Sequence, residues 1–222
     1  MLLAVDTSTA QIGIAVYDGM QVIGESSWRS NQHHTIELAP AIADLFRRCG
    51  VTMDELHALG VALGPGSFTS LRVGLSLAKG LALARRLALI GIPTLDIYAA
   101  GQPASRLPLL AAIQAGRGRL ACGWYKSTRN GWQAKGPPIV LPVDSLIYEI
   151  RTPSIVCGEF SAEERQSLSR DEVNVKLVSP AKSVRRPAVL AELAWERWQN
   201  GDVDDAASLA PVYLHTAVPN VA

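Results

Sequence analysis

The amino-acid sequence predicts an α/β protein of two similar halves, in which mixed sheets are flanked by helices. One observation is that each half opens with short apolar runs separated by turn residues, a pattern typical of strands. A second is that helical patterns of apolar residues follow these runs. The third is a repeat: sliding the chain by 108 residues places Ile12 on Leu120 and Tyr17 on Tyr125, within the same strand–turn–strand order. We interpret the repeat as a duplication of one α/β unit.

The first half is predicted to span residues 1–100. Its predicted strands lie at 2–6, 12–17, 21–28, 59–63 and 89–92. Asp18-Gly19 is a favoured hairpin signal between the second and third strands. One helix is expected where apolar residues from Leu38 to Cys49 share a face and Gly50 can close it. A second helix is expected at 70–86, after the turn at 64–69.

The second half is predicted to span residues 101–222, with the join near 100–107. Its predicted strands lie at 109–113, 120–125, 132–135 and 155–158. A helix is expected at 187–200, because Pro187 suits a first helical position and Gly201 suits the position beyond the end. Residues 210–214 are expected to pack as a terminal segment.

The composition limits the classes of function. Of 222 residues, 48% are hydrophobic, which is enough for a sizeable core. The 21 Lys and Arg nearly balance the 20 Asp and Glu, and a net charge of +1 provides no global field that attracts nucleic acid. Three distant cysteines indicate neither a disulfide framework nor a zinc site. The longest apolar stretch, 71–93, contains four Lys and Arg, and the first residues lack the basic region of a signal peptide. We expect a soluble, cytoplasmic protein without membrane contact, metal or cofactor.

The first candidate site is Asp6-Thr7-Ser8-Thr9, which follows the first predicted strand. An Asp in this place could hold a metal–phosphate group, with the hydroxyls and amides that follow it facing phosphate oxygens. The alternative is that Asp6 and Ser8 close a turn by bonding to local amides, and these four residues alone favour that alternative.

The second candidate is the turn Gly64-Pro65-Gly66-Ser67-Phe68-Thr69 before the second helix. Its glycines permit positive φ, and its amides could form an anion-binding nest at the start of the helix. No Gly-Lys-Ser/Thr follows, so the turn is not a P-loop. The alternative is that Ser67 or Thr69 caps the helix, which local physics favours. Together the two turns form a candidate vestigial phosphate site. Its residues are Asp6, Thr7, Ser8, Gly64, Gly66 and Ser67.

The second helix carries small residues at every fourth position, namely Ser70, Gly74, Ala78 and Ala82. Such a stripe lets another backbone approach closely. The approaching element can be a partner subunit or the protein's own sheet, and the sequence leaves both open.

Histidines and basic residues give weaker signals. His33 and His34 are adjacent and would point apart on a helix, so a solvated helix entry is favoured over a metal pair. Basic residues in the second half could contact phosphate, although a solvated face is the commoner explanation. They are Arg117, Arg119, Lys126, Arg129, Lys135, Lys182, Arg185 and Arg186.

Taken in order, five motifs resemble the TsaB (also called YeaZ) family. They read Leu3-Ala4-Val5-Asp6-Thr7-Ser8-Thr9, His34-Thr35-x-x-Leu38-x-Pro40, Gly64-Pro65-Gly66-Ser67-Phe68-Thr69-x-Leu71-Arg72-Val73-Gly74, Lys79-Gly80-Leu81-Ala82 and Pro211-x-Tyr213-Leu214. The resemblance is strong over about the first 100 residues. It implies an ASKHA (actin/Hsp70-like, RNase H-like) fold of two duplicated lobes. It also implies a role in forming N6-threonylcarbamoyladenosine at position 37 of tRNAs that read codons beginning with A.

The resemblance further implies partners and the absence of catalytic residues in this chain. In that family the transfer belongs to the paralogue TsaD, TsaB pairs with TsaD through helices of the first lobe, and the ATPase TsaE joins them. TsaB-like chains also form homodimers, and tRNA would be met only indirectly, through the complex. By motif match, the interface candidates are Leu38, Ile42, Leu45, Leu71, Gly74, Leu75, Ala78 and Ala82.

Two of the departures from the family pattern replace carboxylates of the second half, whereas Ser70 replaces a glycine and His215 replaces an arginine. Gln114 stands where the family usually has an Asp, and Arg119 stands where it usually has a Glu. These changes remove two carboxylates that could have held a cation.

The leading hypothesis is therefore a non-catalytic dimerisation subunit that docks on and activates TsaD. A free-standing actin-like ATPase or kinase-type enzyme, using Asp6 and the turn at 64–66, is the alternative. An RNA-binding module is a third hypothesis, which the net charge near zero disfavours for the chain alone.

Overall fold

A computed structural model describes residues 1–31 and 33–214. The first sheet contains five strands. They are β1 (Leu2–Asp6), β2 (Gln11–Tyr17), β3 (Val22–Arg29), β4 (Ala58–Gly64) and β5 (Ala88–Pro93), in the order β3-β2-β1-β4-β5. The meander β1–β2–β3 is antiparallel, whereas β4 and β5 run parallel to β1. The sheet is therefore mixed.

The second sheet repeats this plan. Its strands are β6 (Leu109–Gln114), β7 (Arg119–Thr128), β8 (Gly131–Ala134), β9 (Ile139–Pro142), β10 (Ser154–Gly158) and β11 (Val175–Leu177). The main order is β11-β10-β6-β7-β8, and β9 pairs with β7. Here also a meander is antiparallel, and the last two strands are parallel to the first. The shared order confirms the predicted α/β fold with duplicated mixed sheets.

Helices pack on both sheets, and those on the first sheet cover both of its faces. Their bounds are α1 (His34–Cys49), α2 (Phe68–Arg85), α3 (Thr94–Ala100), α4 (Val143–Glu149), α5 (Ala162–Leu168) and α6 (Pro187–Gln199). Because side chains alternate along a strand, Leu3 and Val5 of β1 face the cluster that includes α1 and α2, while Leu2 and Ala4 face the cluster that includes α6. Both faces are apolar and buried, as expected for a strand at the centre of a partly parallel sheet.

The predicted elements are found with ends shifted by a few residues, and several further elements were not predicted. The second helix begins at Phe68 rather than at residue 70, and β7 runs to Thr128 rather than to 125. The segment at 210–214 packs as predicted, since the Val212 amide donates to the Leu63 carbonyl at 2.7 Å. The elements β9, β11, α3, α4 and α5 have seven residues or fewer, too few for a clear period.

The last helix, α6, follows the second sheet in sequence but packs on the first. Its residues Leu190, Ala191 and Ala194 lie in the core cluster formed with β1 and β4. The chain therefore returns to the first sheet at its end. The division near residue 100 stays a prediction.

None of the helices within residues 1–31 and 33–214 combines the length and apolarity that a bilayer-spanning segment requires.

Two glycines of α2 test how closely this helix approaches β1. A methyl group at Gly74 would lie 2.3 Å from the Thr7 Oγ1 atom, whereas a methyl group at Gly80 would meet nothing within 4 Å. We expect Gly74→Ala to lower the free energy of unfolding by about 1–3 kcal/mol, because the methyl group would overlap the buried Thr7 side chain. Gly80→Ala should raise it by up to about 1 kcal/mol, because alanine favours a helix. Urea denaturation of both variants checks this, and equal effects would contradict the close contact.

Candidate functional site

The structure brings together the two turns that the sequence singles out. They follow β1 and β4, which are parallel neighbours, so both turns lie at the same edge of the first sheet. The Ser67 amide donates a hydrogen bond to the Ser8 carbonyl at 2.7 Å. A methyl group on Gly66 would lie 2.2 Å from the same carbonyl oxygen, so glycine is required at this contact. All six predicted phosphate-site residues therefore lie in one cluster.

The Thr7 hydroxyl fixes the start of α2 rather than facing a ligand. It donates to the Ser70 carbonyl at 2.7 Å and accepts from the Gly74 amide at 3.2 Å. Both bonds are buried, and they join the end of β1 to the first turns of the helix. The small residues of α2 predicted that another part of a protein packs closely against this helix. In the structure, that part is the chain's own turn after β1.

The polar groups around Ser8 are also bound within the chain. The Ser8 amide donates to Asp6 Oδ1 at 2.8 Å, and its hydroxyl lies 2.7 Å from the Thr94 hydroxyl. Thr94 in turn accepts from the Gly64 amide at 2.9 Å. Thr94 is fully buried at the start of α3, and sequence reasoning missed it because nothing local marks it. The Ser67 hydroxyl caps α2, which was the alternative for that turn.

The second oxygen of Asp6 is bound by a cation from the far end of the chain. Arg185 Nε donates to Asp6 Oδ2, and the two side chains are 1% and 2% exposed. Sequence reasoning placed Arg185 among the solvated basic residues, and the structure shows that this placement was wrong. The reason is tertiary, since the segment before α6 returns to the end of β1.

Three further hydrogen bonds hold Arg185 in place. Its terminal nitrogens donate to Tyr98 Oη at 3.2 Å, to Thr9 Oγ1 at 3.2 Å and to the Gln11 carbonyl at 3.0 Å. Burial opposes the charge on Arg185, but Asp6, with Tyr98 and Glu159, outweighs that cost and raises the pKa of the guanidinium. The Glu159 carboxylate lies 3.6 Å from Arg185 and extends the network to the second sheet.

This arrangement does not fit a metal–phosphate group of the kind an ASKHA fold suggests. The Asp6 carboxylate is occupied by Arg185 and the Ser8 amide, and the Ser67 amide is occupied by the Ser8 carbonyl. The cation beside Asp6 is a side chain of the chain itself. We therefore assign no step to a metal ion or nucleotide at this position.

Metal-ligand clusters and the two buried cysteines offer no further site for chemistry in the described part of the chain. No group of three or more His, Cys, Asp or Glu in residues 1–31 and 33–214 could hold a metal ion. Burial raises the pKa of Cys122 and of Cys157 to about 12, so neither is a thiolate nucleophile at neutral pH.

The two adjacent histidines differ in their surroundings. His33 is exposed, as a solvated helix entry predicts. His34 is buried, and its Nε2 atom lies 2.9 Å from the Thr9 carbonyl, which corrects that prediction for one of the pair. His34 thereby connects α1 to the turn after β1.

A cleft of ≈ 750 Å³ separates this cluster from the second sheet. Thr9, Gly66 and Ser67 line one side, and Gln114 and Arg119 line the other. These last two residues are the two departures that replace carboxylates of the family pattern. Arg119 Nε is buried without a hydrogen-bond partner among the described residues.

The structure explains why a glutamine suits position 114, which the sequence alone does not reveal. Its amide nitrogen donates to Glu164 Oε2 at 2.6 Å and to the Glu159 carbonyl at 3.2 Å. An aspartate at this position would bring a second carboxylate towards Glu164 and remove both donors. The amide is therefore matched to its neighbours.

The eight predicted interface residues lie in the protein's own interior. Each of the seven with a side chain is 7% exposed or less, and Gly74 abuts Thr7. They are Leu38, Ile42, Leu45, Leu71, Gly74, Leu75, Ala78 and Ala82. We correct the prediction accordingly, because the apolar faces of α1 and α2 cover the first sheet. Replacing Gly74 with a large residue would therefore test whether the chain folds, not whether it docks on a partner.

A different set of residues forms the outer surface of the two helices. A groove of ≈ 570 Å³ lies between α1 and α2. Its rim includes exposed Thr35, Ala39, Phe68 and Ser76, and Phe68 is 53% exposed. We call this surface the outer α1–α2 groove.

Comparisons with known proteins find relatives whose names refer to tRNA modification. Residues 26–181 match the family model described as TsaD: tRNA N6-adenosine threonylcarbamoyltransferase. The chain is 32% identical to the tRNA threonylcarbamoyladenosine biosynthesis protein TsaB of Escherichia coli K12, over 63% of this chain and 62% of that protein. It is 28% identical to the Bacillus subtilis protein of the same name, over 97% of this chain and 94% of that protein. The chain thus spans less than two thirds of the first relative and nearly all of the second.

Solved structures confirm the fold. YeaZ from Pseudomonas aeruginosa superposes with a TM-score of 0.77 at 24% identity, covering 96% of this chain and 99% of that one. Ethanolamine utilization protein EutJ from Carboxydothermus hydrogenoformans gives 0.51 at 14% identity, covering 86% and 88%. The fold is the predicted ASKHA fold of two duplicated sheets.

Removing Arg185 tests the buried ion pair. We expect Arg185→Met to lower the free energy of unfolding by about 3–5 kcal/mol, because it leaves the Asp6 carboxylate buried without a counter-charge. Asp6→Asn/Arg185→Met should cost less than the two single changes added together, because the double variant buries no uncompensated charge. Urea denaturation followed by tryptophan fluorescence measures all three.

The neighbouring residue provides a matched control. Arg186 pairs with Glu25 but is 59% exposed, so Arg186→Met should cost no more than about 1 kcal/mol. Equal losses for Arg185→Met and Arg186→Met would contradict the role of the buried pair.

Proposed function

The chain belongs to the TsaB (YeaZ) family, and we propose that it is a non-catalytic docking subunit of the complex that forms N6-threonylcarbamoyladenosine at position 37 of tRNA. It acts in the cytoplasm by docking on TsaD and holding that enzyme in its working conformation. TsaE joins the assembly, and the isolated chain forms a homodimer. The relatives named TsaB support the pathway, because their names assign them to tRNA threonylcarbamoyladenosine biosynthesis.

The observation that carries the non-catalytic part is the Arg185–Asp6 pair. An actin-like enzyme needs its first acidic turn available for a metal–phosphate group, and here that carboxylate already has a buried cation. The adjacent turn has no lysine that could reach a phosphate. These features support a chain that provides a binding surface for a partner and does not itself catalyse a reaction.

The outer α1–α2 groove is the surface we assign to TsaD. Val73 and Leu77 form its half-buried floor, and Phe68 and Ala39 lie at its rim. Further exposed apolar residues continue the surface along both helices, with Ile36 at 68% and Leu83 at 69% exposed. An apolar groove bounded by helices suits a helix of a partner subunit. The same surface serves the homodimer, so a second copy competes with TsaD for it.

A charged residue in the groove tests the docking. Ser76 is exposed on α2 at the groove, and we expect Ser76→Arg to weaken association with purified TsaD by about tenfold or more, since an arginine would lie against apolar surface. Size-exclusion chromatography with light scattering measures the heterodimer, and the thermal midpoint shows that the variant is folded.

Ser145→Arg is the matched control, because Ser145 is also an exposed serine on a helix, α4, which packs with the second sheet. It should leave association with TsaD unchanged. Normal heterodimer formation by a folded Ser76→Arg variant would refute the assignment of this groove.

Calorimetry distinguishes the free-standing ATPase. Because Arg185 occupies Asp6, we expect the isolated chain to bind ATP with Mg²⁺ no more tightly than about 1 mM, a standard free energy of about −4 kcal/mol. Micromolar binding would favour the enzyme instead.

A further inference from the structure

The second sheet has a basic concavity at the end that lies away from the cleft. It has a volume of ≈ 770 Å³, and four of its ten lining residues are cationic. They are Arg106, Lys126, Arg129 and Lys135. None of the lining residues is acidic, although the chain as a whole has nearly equal numbers of acids and bases. Positive charge is therefore concentrated locally in a chain whose net charge is only +1.

These four side chains are available for a partner. Within residues 1–31 and 33–214, none of them forms an ion pair or a side-chain hydrogen bond, and all four residues are exposed. Other arginines of the chain behave differently, since Arg47 and Arg186 each pair with a carboxylate. An unpaired cation keeps its full attraction for an external anion.

The sheet holds the basic residues in place. Strand β6 pairs with β7 so that Leu109 lies opposite Tyr125, which brings the loop before β6 beside Lys126. The hairpin between β7 and β8 presents Arg129 at its turn. Thr128 Oγ1 fixes that turn by donating to the Gly131 carbonyl at 2.8 Å and accepting from the Asn130 amide at 3.2 Å. Lys126 and Arg129 thus project from a hydrogen-bonded hairpin.

Nearby aromatic rings are not available for stacking on bases. Tyr125 is buried, and its hydroxyl donates to Asp96 Oδ1 at 2.7 Å. The Trp132 indole donates to the Gln102 carbonyl at 3.0 Å. The concavity therefore offers charge without stacking or base-reading groups, which suits the phosphate backbone of a folded nucleic acid.

We propose that this basic concavity binds the phosphate backbone of RNA. The choice of RNA over another polyanion rests on the proposed role in tRNA modification. The site is distinct from the cleft, because β7 runs from Arg119 at the cleft to Thr128 at the concavity, nine residue steps or about 30 Å. The chain then contributes its own contact to tRNA, instead of meeting tRNA only through TsaD.

Filter binding of an unmodified tRNA transcript tests the proposal, with the chain alone and with its TsaD complex. We expect Lys126→Glu/Arg129→Glu to weaken binding by about tenfold or more at low salt, since two phosphate contacts become repulsive. The slope of log affinity against log salt concentration should lose about two units of steepness. Lys126→Gln/Arg129→Gln should show a smaller loss in the same direction, which guards against misfolding of the first variant.

The control Arg170→Glu/Lys176→Glu makes the same change in net charge at β11, the opposite edge of the sheet. It should weaken binding by less than about threefold. Equal losses of binding in the two charge-reversed variants would overturn the proposal, and so would unchanged binding by Lys126→Glu/Arg129→Glu. It would also be overturned if an acidic protein displaced the tRNA and excess duplex RNA did not. Co-elution with TsaD, measured on the same samples, separates a failure of docking from a failure of RNA binding.

Discussion

The buried pair between Asp6 and Arg185 joins parts of the chain that are 179 residues apart. Placing two charges in the interior costs several kcal/mol each, and the pair is tolerated because the guanidinium makes three further hydrogen bonds and lies close to Glu159. Arg185 immediately precedes Arg186 and α6, so the pair also fixes where that helix begins. From there, Pro187 packs on Gly13, and α6 covers the face of the first sheet that α1 and α2 leave open. Glu159 brings the second sheet into the same network.

The sequence was most informative where structure is decided locally. The short apolar runs of β1 and β2, the Asp18-Gly19 hairpin and the helical face ending at Gly50 each depend on residues a few positions apart, and each was found. Arg185 and Thr94 could not be identified in this way, because their partners lie in distant elements. The packing of α6 on the first sheet could not be predicted from the sequence for the same reason. Short elements such as β11 have too few residues to show a period.

The small residues of α2 show the limit of a steric pattern. Such a stripe indicates that another backbone or side chain comes close, but it does not indicate which one. Here Gly74 accommodates the buried Thr7, and Ala78 and Ala82 lie in the core of the first sheet. The residues left for a partner are those on the other side of the same helix, which show no comparable regularity. A correct inference about close packing therefore led to an incorrect set of interface residues.

The same ion pair explains why a scaffold and an enzyme can share this fold. In a protein whose two sheets meet at a cleft, a bound charged ligand can link them, and the closed geometry then depends on ligand concentration. In this chain the link consists of Arg185, Asp6 and Glu159, which are present in every folded molecule. The first sheet is held without a ligand, and so are α1 and α2, which pack on it. A docking surface benefits from this constancy, because a partner loses no affinity to an open state. In the proposed docking role, the occupation of the acidic turn by Arg185 and the permanence of the α1–α2 surface therefore have the same structural cause.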